Sequence, residues 1–263
     1  MQNRDWDALS YHQVSEPMER MGEEVLERLV LEGDETVLDV GCGTGRVTAL
    51  LADRLPRGKV IAVDVSSAMV EMARRSLGPN VEVVQADVGE LELDEPVDAV
   101  FSTATFHWIP DHLCLFRHLA QLLRPSGHLV AQCGGEGNIA GVLAAANEVA
   151  RSREFAADFA GFERPSHFAG PQETEAALLE AGFTGVRCWL QPYPVVPPEP
   201  LEYLRTVSLG PHLDCLPPDR RRRFVGQVAT RMAPPLTIDY VRLNIQARLP
   251  PPAGWEHRPT GYR

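Results

Sequence analysis

Residues 37–45, Val37-Leu38-Asp39-Val40-Gly41-Cys42-Gly43-Thr44-Gly45, constrain the fold more than any other stretch of the chain. An apolar run closes on an acid, three glycines alternate with small residues, and apolar positions then recur at helical spacing (Val47, Leu50, Leu51, Leu55). The pattern predicts a strand, a tight turn and a helix N-terminus, because glycine reaches positive φ at no steric cost and lets a ligand approach bare backbone. The spacing is G-x-G-x-G rather than G-x-G-x-x-G, and Asp39 stands two positions before the first glycine. An acid there opposes a pyrophosphate and suits a ligand carrying an ammonium group, which disfavours a dinucleotide oxidoreductase.

Two further segments repeat the design. Lys59-Val60-Ile61-Ala62-Val63-Asp64 reads as a buried strand ending in an acid, and Asp64 lies 19 residues beyond Gly45. That is near the distance at which a doubly wound fold places a carboxylate to accept ribose hydroxyls. Val81-Glu82-Val83-Val84-Gln85-Ala86-Asp87-Val88 ends a third strand on an acid. Strands over 36–40, 59–64, 81–86, 97–102 and 127–133 alternate with helices over 45–55, 66–77 and 111–123, with Ser66 as an N-cap and Pro125-Ser126-Gly127 as a turn. This order predicts an α/β fold with a parallel sheet and right-handed crossovers.

The flanks are less regular. Residues 17–32 carry apolar positions at helical spacing and predict an N-terminal amphipathic helix, a lid over 1–32. Helices are expected over 138–160 and 172–181, the latter ended by Gly182, then a strand over 185–191. The proline-rich stretch 192–200 reads as an inserted connection, opening a cap over 192–235 with helices at 200–209 and 218–232. A strand over 237–248 closes the core, taken as 33–191 plus 236–249, and residues 250–263 read as a loose tail.

Composition bounds the partners. A formal net charge of −11 lacks the basic footprint of a nucleic-acid binder, and the single dense basic run, Arg220-Arg221-Arg222-Arg223, reads as a solvated first helical turn with salt-bridge partners. No apolar run approaches the ~18 residues of a membrane span. Five scattered cysteines suit buried thiols in a reducing compartment, and with no signal-peptide pattern the chain reads as cytoplasmic. His112, Cys114 and His118 do not converge on one helix face, so no metal site is expected.

The glycine turn with its three rim acids resembles motif I and the following strands of the class I S-adenosylmethionine-dependent methyltransferases. That family implies a Rossmann-like seven-stranded sheet, the last strand antiparallel, with helices on both faces and a helical cap. Within it, Phe106-His107-Trp108-Ile109-Pro110-Asp111-His112 is similar to the aromatic-Gln-Trp-Leu-Pro-Asp-His segment of the bacterial trans-aconitate 2-methyltransferase group, departing at His107.

The resemblance implies S-adenosyl-L-methionine as cofactor, S-adenosyl-L-homocysteine as its product and a small-molecule acceptor. Asp39 would lie near the cofactor's ammonium, and the amides of the turn Gly41, Gly43, Gly45 would hold its carboxylate. Asp64 and Val65 would meet the ribose, Asp87 and Val88 the adenine, with Met69 packed on the ring. Ser102, Thr103 and Ala104 would pass the methionyl part, while Trp108 and Tyr11 would close the site. Met69 and Trp108 read equally as core residues.

For His107 three roles stand: general base, substrate orientation, or a structural histidine. Asn138, His212, Tyr240 and Arg242 are candidates for the acceptor pocket, Arg242 favouring an acidic substrate. The leading expectation is O-methylation of a carboxylate, which needs no base. The alternatives are O-, N- or C-methylation of a natural-product intermediate with His107 as base, and a non-catalytic cofactor-binding protein.

Overall fold

A computed structural model of the chain describes residues 16–252. Seven strands form one sheet in the order β3-β2-β1-β4-β5-β7-β6. They are β1 (Thr36–Val40), β2 (Lys59–Asp64), β3 (Val81–Gln85), β4 (Val97–Thr103), β5 (Leu123–Gly134), β6 (Thr184–Val195) and β7 (Ile238–Arg248). The first five pair in parallel, whereas β7 runs antiparallel to both β5 and β6. Val37, Leu38 and Val40 of β1 are buried from both faces, as a strand covered by helices on each side must be.

The helices are α1 (Glu16–Leu26), α2 (Arg46–Asp53), α3 (Ser67–Ser76), α4 (His112–Leu122), α5 (Ala140–Ala150), α6 (Pro171–Glu180), α7 (Pro200–Tyr203), α8 (Gly210–Asp214) and α9 (Pro218–Arg231). One core lies under α4 and α6, where Leu115, Phe116 and Leu178 meet Leu38, Val100 and Leu243. A second lies under α1 and α2, around Val25, Leu51, Val60 and Phe101. Ser66 caps α3 by accepting the Met69 amide at 3.4 Å.

Four segments depart from their expected extents. α1 ends at Leu26 rather than continuing to residue 32. The segment 125–127 does not precede β5 but bulges within it, with Ser126 at φ +66 and the β4 register shifting between Val97 and Ala99. The prolines of 192–194 do not end β6: Pro192 and Pro194 pair across from Val241 and Asp239. Because β6 is the sheet edge, the side that lacks an N–H donor faces outward and no ladder bond is lost. The helix expected over 138–160 stops at Ala150, and 151–161 proceeds in turns.

Those turns belong with the cap. Phe155 packs edge-on against Phe224 of α9 at 5.2 Å, Arg220 reaches Asp158 at 2.6 Å, and Arg223 reaches Glu154 at 2.8 Å. The cap helices therefore share a third apolar core with α5 and 151–159, centred on Val142, Val149, Phe155, Phe224 and Tyr240. Two members of the arginine run thus have the salt-bridge partners expected of them, and these tie the cap together.

Candidate active site

The sheet order reverses between β1 and β4, the place where open α/β sheets bind ligands outside the strand ends. A cleft of about 810 Å³ opens there, a size ordinary for a small-molecule site. Its floor is made by Gly41 and Gly43 after β1, Asp64 and Val65 at the end of β2, and Thr103 and Ala104 at the end of β4. Met69, Ala86 and Val88 supply an apolar side, and Trp108 stands opposite.

The glycines are required by this geometry. Gly41, Gly43 and Gly45 have φ of +77, +54 and +86. A Cβ on Gly41 would lie 2.0 Å from Thr105 Oγ1, whereas one on Gly43 would meet nothing within 4 Å. Gly41 thus lets the β4 rim pass close by, and Gly43 presents an open backbone edge to the cleft.

The turn's amides are not the expected carboxylate cradle. Gly41 and Cys42 both donate to Val63 O, at 2.7 and 3.0 Å, and Gly45 donates to Cys42 O at 3.0 Å. Gly43 donates to Asp64 Oδ2 at 2.9 Å, and the other oxygen, Oδ1, accepts Ser66 N–H at 2.9 Å. These bonds fix Asp64 at the rim with lone pairs remaining for a ligand's hydroxyls, since each carboxylate oxygen accepts more than one hydrogen bond. Burial raises the Asp64 pKa, and the Ser66 and Gly43 amides oppose that rise.

Four expected cofactor residues stand off the cleft. Asp39 is only 2% exposed and lies beneath the turn, where its Oδ2 accepts the Thr48 hydroxyl at 2.7 Å. Burial pushes its pKa up to about 7, with nearby Asp64 adding to the rise and Thr48 opposing it. Gly45 is the N-cap of α2 and packs against Leu77. Asp87 lies between the lining residues Ala86 and Val88, and its Oδ1 accepts Gly89 N–H at 3.0 Å, capping a 3₁₀ turn. Ser102 turns away to donate to Val40 O at 2.7 Å. Tyr11 lies outside the described residues.

His107 sits behind the cleft rather than in it. Its ring is tilted against Trp108 and Phe168, with centroids 4.8 and 5.6 Å away. Gly134 N–H donates to its Nδ1 at 3.3 Å, so Nε2 carries the proton. Burial, with Arg242 and Arg164 adding to it, holds the pKa well below the ordinary histidine value. A neutral imidazole whose acceptor nitrogen is already bonded has no site for an incoming proton.

The four acceptor candidates also lie outside the cleft lining. Asn138 Oδ1 accepts Val241 N–H at 3.0 Å, joining the loop after β5 to β7. His212 is buried among Phe159, Phe162 and Phe224, and burial lowers its pKa to about 4. The Tyr240 and Tyr203 hydroxyls share a hydrogen bond at 2.9 Å. Arg242 donates to Gln132 Oε1 at 3.2 Å inside a buried seam that continues through Asn244 to Arg28, just after α1. Of the three residues weighed as metal ligands, His112 and His118 bond the carbonyls of Phe106 and Leu91, and Cys114 is exposed.

The cap supplies the far wall through Phe162, Glu163, Arg164, Pro211, Asp214 and Cys215. Sequence reasoning missed all six, as well as Thr105 of the floor. The turn signal Gly161, at φ +77, is the single local pointer to the first three.

The glycine turn and the strands after it carry the sequence likeness to known proteins. Residues 37–127 match the family described as a methyltransferase domain. Over this stretch, about a third of its length, the chain is similar to that methyltransferase domain. A trans-aconitate 2-methyltransferase of Shigella flexneri serotype 5b is 40% identical over 128 residues, 49% of this chain and 50% of the relative. The aligned chain thus spans about half the length of the curated relatives it matches.

The methyltransferase fold extends further than the sequence likeness. A phosphoethanolamine N-methyltransferase of Haemonchus contortus, solved with phosphomonomethylethanolamine and S-adenosylhomocysteine, superposes with TM-score 0.60 at 18% identity. It is matched over 93% of this chain and 57% of its own. An S-adenosylmethionine-dependent methyltransferase of Mesorhizobium loti gives 0.53 at 18% identity, over 86% of this chain and 96% of its own. Among the described residues, no helix is long and apolar enough to cross a membrane.

Proposed function

We propose that the chain is an S-adenosylmethionine-dependent methyltransferase acting on a small-molecule carboxylic acid. One observation carries the cofactor assignment: Asp64, bonded to the glycine turn, projects into a cleft whose other side is the apolar surface of Met69, Ala86 and Val88. That pairing suits a nucleoside, with hydroxyls for the acid and a flat ring for the apolar side. Of the four charged residues described on the lining, three are acids (Asp64, Glu163, Asp214), which suits a cationic ligand.

The cofactor supplies a methyl group activated on a sulfonium. The chain has to align the acceptor and exclude water, which is the larger part of catalysis for an in-line substitution. Trp108 lines the cleft, where an aromatic ring favours a nearby cation by about 0.5–2 kcal/mol. Asp39, held by Thr48 under the turn, would lie near the methionyl end of a bound cofactor.

The carboxylate acceptor is supported by the trans-aconitate 2-methyltransferase names of the 40%-identical relatives and by the state of His107. A hydroxyl or amine acceptor has a proton to lose, whereas His107 is neutral with Nδ1 bonded to Gly134. The five free cysteines suit the cytoplasm as the working compartment. The test is incubation with methyl-labelled S-adenosylmethionine and a panel of organic acids, followed by mild base. Base-labile label recovered as methanol identifies a methyl ester. Stable label on carbon, nitrogen or an ether oxygen would replace this acceptor assignment.

A further inference from the structure

The floor of the cleft contains a strained residue, and one neighbouring side chain holds it there. Among the described residues three non-glycine positions adopt a left-handed backbone, Ala104, Ser126 and Ile139, and of these only Ala104, at φ +57, lines the cleft. That conformation crowds the alanine Cβ against the following carbonyl oxygen, so the surrounding structure has to impose it. Two hydrogen bonds do so. The Ala104 amide donates to Gln132 O at 2.7 Å, and the Thr105 hydroxyl reaches back across Ala104 to donate to Thr103 O at 3.0 Å. Thr105 also touches both neighbouring walls. Its side chain lies against Gly41, where an added Cβ would be 2.0 Å from Oγ1, and its carbonyl accepts the Trp108 amide at 2.9 Å, starting the 3₁₀ turn that carries that ring.

A nucleoside seated by Asp64 and the apolar side of Met69, Ala86 and Val88 lies at the β2 and β3 end of the cleft. In the sheet order β3-β2-β1-β4 the floor continues from there across Gly41 to Thr103, Ala104 and Thr105, with Trp108 opposite. An amino-acid arm extending from the ribose runs over that part of the floor. We infer that Thr105 is a positioning residue for this arm, acting through Ala104. Its hydroxyl holds the left-handed turn that presents residues 103–105 to the cleft, and its contact with Gly41 fixes the spacing between the β1 and β4 rims. The inference rests on the methyltransferase reading above. Without the hydroxyl, Ala104 relaxes toward the ordinary backbone regions, the competent loop becomes a fraction of the population, and affinity falls by that fraction. The nucleoside end, held by residues at and beyond the ends of β2 and β3, does not share the loss.

The test is calorimetric binding of two probes to the chain. S-adenosylhomocysteine carries the arm, whereas 5′-methylthioadenosine keeps the nucleoside and the sulfur without it. Thr105→Val retains the branched shape against Gly41 and removes the hydroxyl. It is expected to weaken S-adenosylhomocysteine ~10-fold and 5′-methylthioadenosine by less than ~2-fold. Thr105→Ser, which keeps the hydroxyl, is expected to hold S-adenosylhomocysteine within ~3-fold. Adding Ala104→Gly to Thr105→Val is expected to recover most of the loss, because glycine takes the left-handed conformation unaided. Misfolding would weaken both probes, and a second substitution to glycine would not repair it. The recovery is read with S-adenosylhomocysteine alone, so it decides the matter whatever the affinity of the second probe. S-adenosylhomocysteine binding unchanged by Thr105→Val, equal weakening of both probes, or no recovery with Ala104→Gly would overturn the inference. Failure of S-adenosylhomocysteine to bind the unmodified chain would instead remove the methyltransferase reading beneath it.

Discussion

Oδ2 of Asp64 accepts the amide of Gly43 at 2.9 Å, so the acid that closes β2 is bonded to the turn that closes β1. Ligand site and loop conformation therefore depend on one carboxylate. Asp64→Ala is expected to weaken S-adenosylhomocysteine at least ~10-fold, losing the ligand's hydrogen bonds and leaving Gly43 and Ser66 N–H groups unpaired. Asp64→Asn, whose one oxygen serves one amide, should lose less. Calorimetry on both variants ranks them.

Gly41→Ala places a methyl group 2.0 Å from Thr105 Oγ1 at a φ of +77. Loss of stability by ~2–4 kcal/mol is expected from the clash and the left-handed backbone together. Adding Thr105→Gly should restore the part due to the clash and leave the backbone part. Denaturant melts of the single and double variants separate the two.

Asp39 makes stability depend on pH. Its folded pKa of about 7 exceeds the ordinary 3.8, so the folded state holds a proton that the unfolded state releases. Stability from this group therefore falls as pH rises from about 4 to about 7, by on the order of 4 kcal/mol. Asp39→Asn should flatten that slope in thermal melts. Because a cationic ligand favours the ionised form, S-adenosylmethionine binding should release a proton near neutral pH, a release that Asp39→Asn abolishes.

His107 works in the opposite sense. Burial holds its folded pKa below the unfolded value of 6.5, so its contribution is present above pH ~6.5 and lost as pH falls. His107→Gln retains an acceptor for Gly134 N–H and should leave kcat within ~3-fold, without removing a neutral-pH titration. His107→Ala leaves that amide unpaired and should cost ~1–3 kcal/mol of stability. A ~100-fold fall in kcat for His107→Gln, with the loss of a titration near pH 6–7, would restore the general-base role.

What could be read from the sequence and what could not divide by range. The turn at Gly41–Gly45 and the acid Asp64 are local patterns, set by φ sterics and strand-end spacing, and Gly41, Gly43 and Asp64 fall on the cleft floor. Pro192 and Pro194 misled because a missing donor matters only if the strand has neighbours on both sides, and β6 has one. His107 adjoins Trp108 in sequence but faces Gly134, a choice made by β5 and not by residues 106–112. Arg164 and Phe162 lie on a segment without periodicity, positioned by contacts such as Phe162 with His212 at 4.9 Å and His167 N–H with His107 O at 2.8 Å. Partners so distant in sequence leave no local signature.

The most direct test of the central claim is calorimetric titration of the chain with S-adenosylmethionine, S-adenosylhomocysteine and NAD. Binding of the first two at roughly micromolar Kd, with no heat from NAD, is the predicted result. Heat from NAD with none from either sulfur compound would contradict it.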